Sequence, residues 1–247
     1  MYPPSETFRA YRAHSTPQRG EHLFQVVVEQ TDLCIICDRD LRESIFDHVH
    51  KRRGQIMAYA QLYPAFLTSL TPLSLETKAP AFITTMLEAA AAMRIGPMGA
   101  VAGAIAQDVA DTFGPLCGDM LVENGGDIFV RSGVPRTIGI LPDPEHEMTL
   151  GLYLKPEDCP CAVCASSATI GHSLSLGKGE LVVVRARSGA LADAAATRLC
   201  NELKNRADLH KVLALAESLQ PRGVLGVLAQ CQGNMGVWGE LELVGLG

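Results

Sequence analysis

Strand-like and helix-like segments come in separate runs along this chain, and that order limits the folds it can adopt. Two short apolar strand patterns precede helical patterns over residues 40–113, and four further strand patterns lie between residues 120 and 154. A strand at 180–186 and two helices follow, and residues 223–243 alternate like strands with turns at glycines. Such runs predict an α+β fold with antiparallel sheets and packed helices rather than a doubly wound parallel sheet.

The chain is large enough to bury a sizeable core. Its 247 residues are 47% hydrophobic but only 5% aromatic, so Val, Leu, Ile and Ala must fill the interior. Residues 1–20 form a polar, proline-containing N-terminal segment, and we expect residues 21–247 to form a single α+β domain. Each half has an Ala-rich helix beside apolar strands, which suits an internally duplicated fold.

Net charge and the lengths of the apolar runs narrow the choice of partners. The formal net charge is −6, so binding to nucleic acid would not be favoured by the release of counterions. We therefore expect no nucleic-acid partner. Residues 1–20 contain no apolar run, and the longest apolar stretch, residues 95–106, is too short to span a bilayer. We therefore expect no membrane partner and a cytoplasmic location.

A cluster of three cysteines allows two interpretations. Cys159, Cys161 and Cys164 lie within six residues of a predicted loop, where three thiolates can hold zinc or an iron–sulfur cluster with a fourth ligand from elsewhere. No second Cys/His pair stands at a metal-ligand spacing, which favours reduced thiols. The metal site stays an open alternative.

An Asp–Thr pair on a predicted helix is a candidate cation site. Asp193 and Thr197 are four residues apart, so their side chains share one helix face. A carboxylate and a hydroxyl are the hard oxygen ligands that Mg²⁺ prefers. Spacing alone favours a structural role, because an acidic residue in the first helical turn complements the macrodipole and Thr bonds back to its own helix.

Two polar segments are candidate nucleotide sites. Residues 123–127, Glu-Asn-Gly-Gly-Asp, place two glycines between strands, where a ligand can approach the backbone closely or where an ordinary hairpin turn forms. Residues 166–175 are rich in hydroxyls, which can bind phosphate together with backbone N–H groups. His172 within that segment is a candidate acid/base.

Taken together and in this order, these segments resemble the ApbE family of FAD:protein FMN transferases. Gly99-Ala-Val-Ala-Gly-Ala-Ile-Ala-Gln-Asp108 is similar to the family's Gly-Gly-Ile-Ala-Lys-Gly-Tyr-Ala-Val-Asp segment, and residues 123–127 stand where the family has Asp-x-Gly-Gly-Glu. Ala192-Asp-Ala-Ala-Ala-Thr197 matches the family's Ala-Asp-Ala-Leu-Ala-Thr. A closer resemblance, from about Tyr11 to the end, is to uncharacterised ApbE-like proteins with VENGGDIF, GHSLS and LADAAAT motifs.

The resemblance implies an ApbE-like, T-fold-related architecture and a flavin site. Mg²⁺ would be held by Asp193, Thr197 and the backbone carbonyl of Ala102, and FAD would be split so that FMN passes to a Ser or Thr of a protein acceptor. A pyrophosphatase-like cleavage is the other reaction type that we consider for an active enzyme. His172 would be the acid/base. The small-molecule nucleotide would be FAD or FMN, and it would contact two sets of residues. These are Asn124, Gly125, Gly126 and Asp127 in the first, and Ser166, Ser167, Thr169 and Ser173 in the second.

Two departures from the family pattern keep a second function open. Gly103 replaces the family's Lys, and residues 172–177 replace its His-x-Ile-Asp-Pro-x-Thr-Gly segment. The alternative is a non-catalytic flavin- or nucleotide-binding protein that retains the fold without transferase activity. Antiparallel sheets of this kind also leave edges to cover, so a homodimer is a further candidate assembly.

Overall fold

The framework of the fold is an antiparallel sheet of eight strands, seen in a computed structural model that describes residues 17–74, 79–140, 150–167 and 180–246. Each strand pairs antiparallel with its neighbours. In spatial order the strands are β1 (His22–Val28), β2 (Thr31–Cys37), β3 (Met120–Asn124), β4 (Asp127–Arg131), β7 (Cys161–Ser166), β8 (Leu181–Ala186), β9 (Val224–Cys231) and β10 (Asn234–Gly239).

A second, smaller sheet and six α-helices complete the described part of the chain. The small sheet is antiparallel, with the order β11 (Glu242–Gly245), β6 (Leu150–Leu154) and β5 (Arg136–Ile140). The helices are α1 (Arg42–Leu62), α2 (Ala65–Thr68), α3 (Ala81–Met93), α4 (Val101–Phe113), α5 (Gly189–Glu202) and α6 (Leu209–Ser218). These layers confirm the predicted α+β class with antiparallel sheets.

The large sheet separates two hydrophobic cores. One face packs against the helices, and the other packs against the small sheet through side chains such as Ile138 and Leu152. Strand β1 alternates in burial, with Phe24 and Val26 facing the helices, because one side of this edge strand is left open. Strand β8 is buried on both faces and is accordingly apolar along most of its length.

The two halves of the large sheet repeat one pattern. Strands β1 and β2 form a hairpin, helices α1 to α4 follow, and β3 and β4 form a second hairpin. Strands β7 and β8 pair, α5 and α6 follow, and β9 and β10 pair. The halves join where β4 pairs with β7, which is the arrangement expected of an internal duplication.

Several sequence-based boundaries differ from the structure. The segment that contains Cys161 and Cys164 is a buried strand rather than a loop, because the thiols behave as small apolar side chains. The last part of the helical pattern over residues 40–113 is a 3₁₀ helix, Pro97–Ala100, followed by α4. The turn of the first hairpin consists of Glu29 and Gln30, because Val28 and Thr31 still pair.

Glycines in the C-terminal strands were expected at turns, and only one of three is there. Gly233 lies in the β9–β10 turn with a φ of +70°. Gly226 and Gly236 lie inside strands instead. A Cβ on Gly226 would come within 2.7 Å of Leu241 Cγ, and a Cβ on Gly236 within 2.8 Å of Leu213 Cδ1. These glycines therefore mark the close approach of packed side chains to the strand backbone.

Within the described ranges, no single helix combines the length and the apolar composition that crossing a bilayer requires. Ala81–Met93 and Pro97–Leu116 meet both criteria only when taken together, and they are bent by 103° relative to each other.

Candidate functional site

The N-terminal turns of α4 and α5 touch through their backbones at two glycines. A Cβ on Gly103 would lie 2.2 Å from the carbonyl oxygen of Gly189, and a Cβ on Gly189 would lie 2.2 Å from the carbonyl oxygen of Gly103. No side chain fits at either position, because real Cβ atoms do not approach backbone oxygens so closely. Gly103, within the segment 99–108 that resembles the family's, thus has a packing role.

Each of these helices supplies a side chain that caps the other. Asp193 Oδ2 on α5 accepts hydrogen bonds from the backbone N–H groups of Ala102 and Gly103 on α4, both at 3.0 Å. In return, Gly189 N on α5 donates to Gln107 Oε1 on α4 at 2.7 Å. Both caps satisfy amides that an α-helix leaves unpaired at its N-terminus. Asp193 also places a carboxyl group at the positive end of the α4 dipole.

The β3–β4 hairpin is tied to the same turn of α4. Asn124 Nδ2 donates to the carbonyl oxygen of Ala102 at 3.1 Å. The backbone of Ala102 therefore contacts Asn124 through its carbonyl and Asp193 through its amide. Sequence reasoning assigned these three residues to metal and nucleotide contacts, and the fold brings them together.

Two glycines form the turn of this hairpin. Gly125 and Gly126 have φ values of +66° and +104°, a combination that glycine adopts without strain. A Cβ on either would meet nothing within 4 Å, so the turn is open rather than packed. Glu123 Oε1 accepts a hydrogen bond from Gly126 N at 2.8 Å and holds the turn.

Asp127, the first residue of β4, is a buried acid beside Asp193. Cys164 and the backbone of Ala165 adjoin its carboxyl group, and its Oδ1 has no hydrogen-bond partner among the described residues. The Cys164 thiol donates to the carbonyl oxygen of Gly189 at 3.8 Å. Burial, and next the neighbouring Asp193, raise the pKa of Asp127 well above its usual value. Burial raises the pKa of Asp193 to about 7, although its bonds from Gly103 and Ala102 act in the opposite direction.

Thr197 lies one helical turn beyond Asp193, as predicted. Its Cγ2 is 3.6 Å from the position that a Cβ on Gly99 would take, which places it against the 3₁₀ helix that leads into α4. Both Asp193 and Thr197 are partly exposed, whereas the alanines between them are buried. The pair therefore faces the start of α4, where the Ala102 backbone also lies.

The hydroxyl-rich segment is described only in part. Ser166 ends β7 and is buried, with no described partner for its Oγ. Ser167 Oγ donates to the carbonyl oxygen of Glu180 at 2.5 Å. Thr169, His172 and Ser173 lie outside the described residues, so their predicted roles stay predictions.

The cysteine cluster does not converge on one point. Cys161 belongs to the core under the small sheet, whereas Cys164 belongs to the core under the helices, because residues three apart on a strand face opposite ways. Among the residues with described positions, no three His, Cys, Asp or Glu side chains are grouped to hold a metal ion. A joint metal site of Cys159, Cys161 and Cys164 is incompatible with this strand.

The donors around the start of α4 fit Mg²⁺ by chemical type. Asp193 offers a carboxylate, Thr197 a hydroxyl and Ala102 a carbonyl, all hard oxygen donors. The buried Oδ1 of Asp127, which has no partner in the described part of the chain, belongs to a carboxyl group that interacts with Asp193 of this set. Sequence reasoning missed Gln107, although its spacing from Gly103 equals that of Asp193 from Gly189, which is a recognisable repeat.

Sequence comparisons find relatives over most of the chain. A family model described as AbpE bacteria matches residues 13–229. A UPF0280 protein of Methanocaldococcus jannaschii is 31% identical over 226 residues, which cover 89% of this chain and 92% of the relative. A UPF0280 protein of Methanopyrus kandleri is 36% identical over 178 residues, which cover 72% of each.

Solved structures share the fold at low sequence identity. A mutant of the flavin transferase ApbE from Vibrio cholerae has a TM-score of 0.60 at 11% identity, covering 89% of this chain and 97% of its own. The apo form of the Pseudomonas stutzeri flavinyl transferase ApbE has a TM-score of 0.55 at 12% identity, covering 89% and 94%. The ApbE protein of Thermotoga maritima has a TM-score of 0.54 at 15% identity, covering 90% and 96%. At such identities the likeness is one of fold.

Proposed function

The chain belongs to the AbpE family, and from this membership we propose that it is a Mg²⁺-dependent flavin-nucleotide-binding protein that cleaves FAD and transfers FMN. The fold it shares with flavin transferases supports a flavin-related function. We place this activity in the cytoplasm, with a protein acceptor as the second substrate. Fold alone does not determine function, so the residues of the candidate site must support the proposed activity.

The observation that carries the proposal is the contact network at the start of α4. Asp193, Ala102 and Asn124 are joined by hydrogen bonds of 3.0–3.1 Å, and Asn124 leads directly into the open Gly125–Gly126 turn. Oxygen donors of the kind Mg²⁺ prefers thus adjoin a backbone that a ligand can approach closely. A pyrophosphate needs both features.

The chain's own residues would have distinct roles in the reaction. Asp193, Thr197 and the Ala102 carbonyl would hold the cation, and Asn124, Gly126 and Ser167 would orient the phosphates. Bound Mg²⁺ would neutralise the pyrophosphate and stabilise the charge that develops on the leaving phosphate.

The bond changes in the proposed transfer are those of a phosphoryl-type substitution. The hydroxyl oxygen of an acceptor Ser or Thr attacks the phosphorus of the FMN half, and the P–O bond to AMP breaks. AMP leaves with the bonding electrons, and the hydroxyl proton passes to a base, for which His172 is our candidate.

Incubation of the purified protein with FAD and Mg²⁺ tests the proposal directly. We expect release of AMP, with FMN appearing free or attached to a Ser- or Thr-containing acceptor peptide, as followed by chromatography and mass spectrometry. Asp193→Asn should reduce the rate at least about 100-fold, because removing one preorganised electrostatic contact costs that much in other enzymes. An active Asp193→Asn variant, or an inert wild-type protein, contradicts the proposed activity.

A non-catalytic flavin-binding protein is the second candidate, and one observation favours it. Gly103 occupies the position of the family's Lys, and the carbonyl of Gly189 leaves no room there for any side chain. Flavin absorbance of the fresh protein and thermal shifts with FAD, FMN and AMP separate the two candidates. A ligand that binds tightly without turnover favours the binding protein.

A further inference from the structure

Asp127 has an environment that the proposed nucleotide contact does not explain. Its side chain is 6% exposed, and it sits at the first position of β4, directly after the Gly125–Gly126 turn. Its Oδ1 is buried and has no hydrogen-bond partner in the described ranges. Buried carboxylate oxygens are nearly always satisfied, so this one calls for a partner that the described residues do not supply.

A second orphaned oxygen lies on the neighbouring strand. Asp127 is directly opposite Cys164 in the β4–β7 register, and Ser166 is two residues further along β7 on the same face. Ser166 is 5% exposed, and its Oγ likewise lacks a partner among the residues described. Asp127 Oδ1 and Ser166 Oγ are therefore two buried oxygens on adjacent strands, both without a partner in the described part of the chain. Such a pair indicates one shared ligand rather than two separate packing defects.

The charge of the surroundings decides what kind of ligand fits. Asp127 interacts with the carboxyl groups of Asp193 and Glu123, and no described Arg or Lys forms an ion pair with Asp127 or Asp193. A phosphate group placed directly against these acids would be repelled. A divalent cation would neutralise these acids, and an oxygen from each carboxylate could coordinate it.

We propose that Asp127 is a second carboxylate ligand of the cation at Asp193, with Ser166 lining the same site. This inference rests on the cation of the proposed function, and it moves Asp127 from the nucleotide's contacts to those of the metal. The site then has one carboxylate from the β-hairpin and one from α5, so the cation joins the two halves of the fold. The nucleotide would reach Asp127 only through the cation.

Mn²⁺ binding to the purified protein without nucleotide tests this inference apart from catalysis. Electron paramagnetic resonance measures free Mn²⁺ during a titration of the wild type, Asp127→Asn and the control Asp111→Asn. Asp111 is an exposed acid at the far end of α4 that pairs with Arg131. We expect one Mn²⁺-binding site in the wild type and in the control. In Asp127→Asn we expect the affinity of that site for Mn²⁺ to be at least about tenfold lower.

A second measurement separates a ligand role from a folding defect. Because Asn cannot ionise, Asp127→Asn avoids the cost of burying a carboxyl group next to Asp193, and it should melt at a higher temperature than the wild type in chelator-treated buffer. It should also lose most of the upward shift that Mn²⁺ gives to the wild type. If Asn prevents folding, Asp127→Ser is used in both measurements.

The outcomes distinguish this inference from the proposed function. Wild-type-like Mn²⁺ affinity in Asp127→Asn overturns the inference, because Asn keeps the shape and a hydrogen-bond donor but not the carboxylate. Absence of Mn²⁺ binding in the wild type overturns it as well. A weakened site in Asp127→Asn, together with a wild type that does not cleave FAD, supports the inference while the proposed activity fails.

Discussion

Asp193 shows how one side chain can serve structure and chemistry at the same time. Its Oδ2 caps α4 through two amides, so the carboxyl group is fixed in place by the helix it stabilises. The sequence-based reading offered a macrodipole role and a cation role as alternatives. The macrodipole role on its own helix is wrong, because Asp193 lies beyond the first turn of α5 and caps α4 instead. The cation role stays a prediction that the cap makes geometrically reasonable.

Replacing Gly103 tests how tightly α4 and α5 pack. Gly103→Ala puts a methyl group 2.2 Å from a backbone oxygen, and helices α4 and α5 must separate to admit it. We expect the free energy of unfolding to fall by about 3 kcal/mol, at the upper end of overpacking costs. Urea denaturation followed by circular dichroism measures the change.

The matched control for Gly103→Ala is Gly54→Ala in the exposed middle of α1, where a Cβ would meet nothing within 4 Å. That substitution should stabilise the protein by about 0.5–1 kcal/mol, because Ala loses less backbone entropy in a helix. Equal effects of the two substitutions would show that the α4–α5 contact is not tight.

A buried ion-pair network attaches β5 to the large sheet. Arg136 begins β5, is 5% exposed and contacts Glu21, which immediately precedes β1. It also donates to Asp119 at 3.0 Å, just before β3, and to Ser132 Oγ at 2.9 Å. The small sheet is therefore tied by charge as well as by its apolar contacts.

Glu21 gives a pH-dependent prediction for that network. The hydrogen bond from Arg136, the largest influence, lowers the pKa of Glu21 below 4.5, although burial opposes it. Between the lowered pKa and 4.5 the unfolded chain binds more protons than the native protein, so stability rises with pH there. The contribution of Glu21 is complete above that window and is lost as the pH falls through the native pKa.

Glu21→Gln should therefore cost about 2 kcal/mol at pH 7, the scale of a hydrogen bond to a charged group, and much less near pH 2. Urea denaturation of both proteins at the two pH values measures this difference. A loss that is the same at both pH values would mean that shape, rather than charge, holds Arg136.

Across the whole molecule, the eight cysteines differ sharply in their surroundings. Cys159 is partly exposed, and its hydrogen bond with Cys161 lowers its pKa. Cys117 is also partly exposed, but burial raises its pKa to about 12. The other six, including Cys164, are buried.

A short pulse of iodoacetamide on the native protein should therefore modify Cys159 first, since the thiolate is the reactive form. Peptide mass spectrometry identifies the site, and urea-denatured protein, labelled at all eight positions, is the control. Fast labelling of Cys164 would show that β7 is not the buried central strand described above.

Sequence reasoning succeeded where periodicity or chemistry was local. The α+β class followed from the runs of strands and helices, and Asp193, Ala102 and Asn124 were singled out from their motifs. Failures came from contacts distant in sequence. Gly226 was expected at a turn because nothing nearby indicates that Leu241 packs over it. Gln107 went unnoticed because its partner, Gly189, is 82 residues away.

The reciprocal caps of α4 and α5 have a consequence for ligand orientation. Gln107 and Asp193 lie four residues after Gly103 and Gly189, so the two caps of the repeat are equivalent in position but differ in charge and in the number of amides they bind. A dinucleotide has unlike ends, and a perfectly twofold receptor would accept either end equally. A neutral amide at one cap and an acid at the other make the pair polar, so the dinucleotide of the proposed function would bind in one direction only.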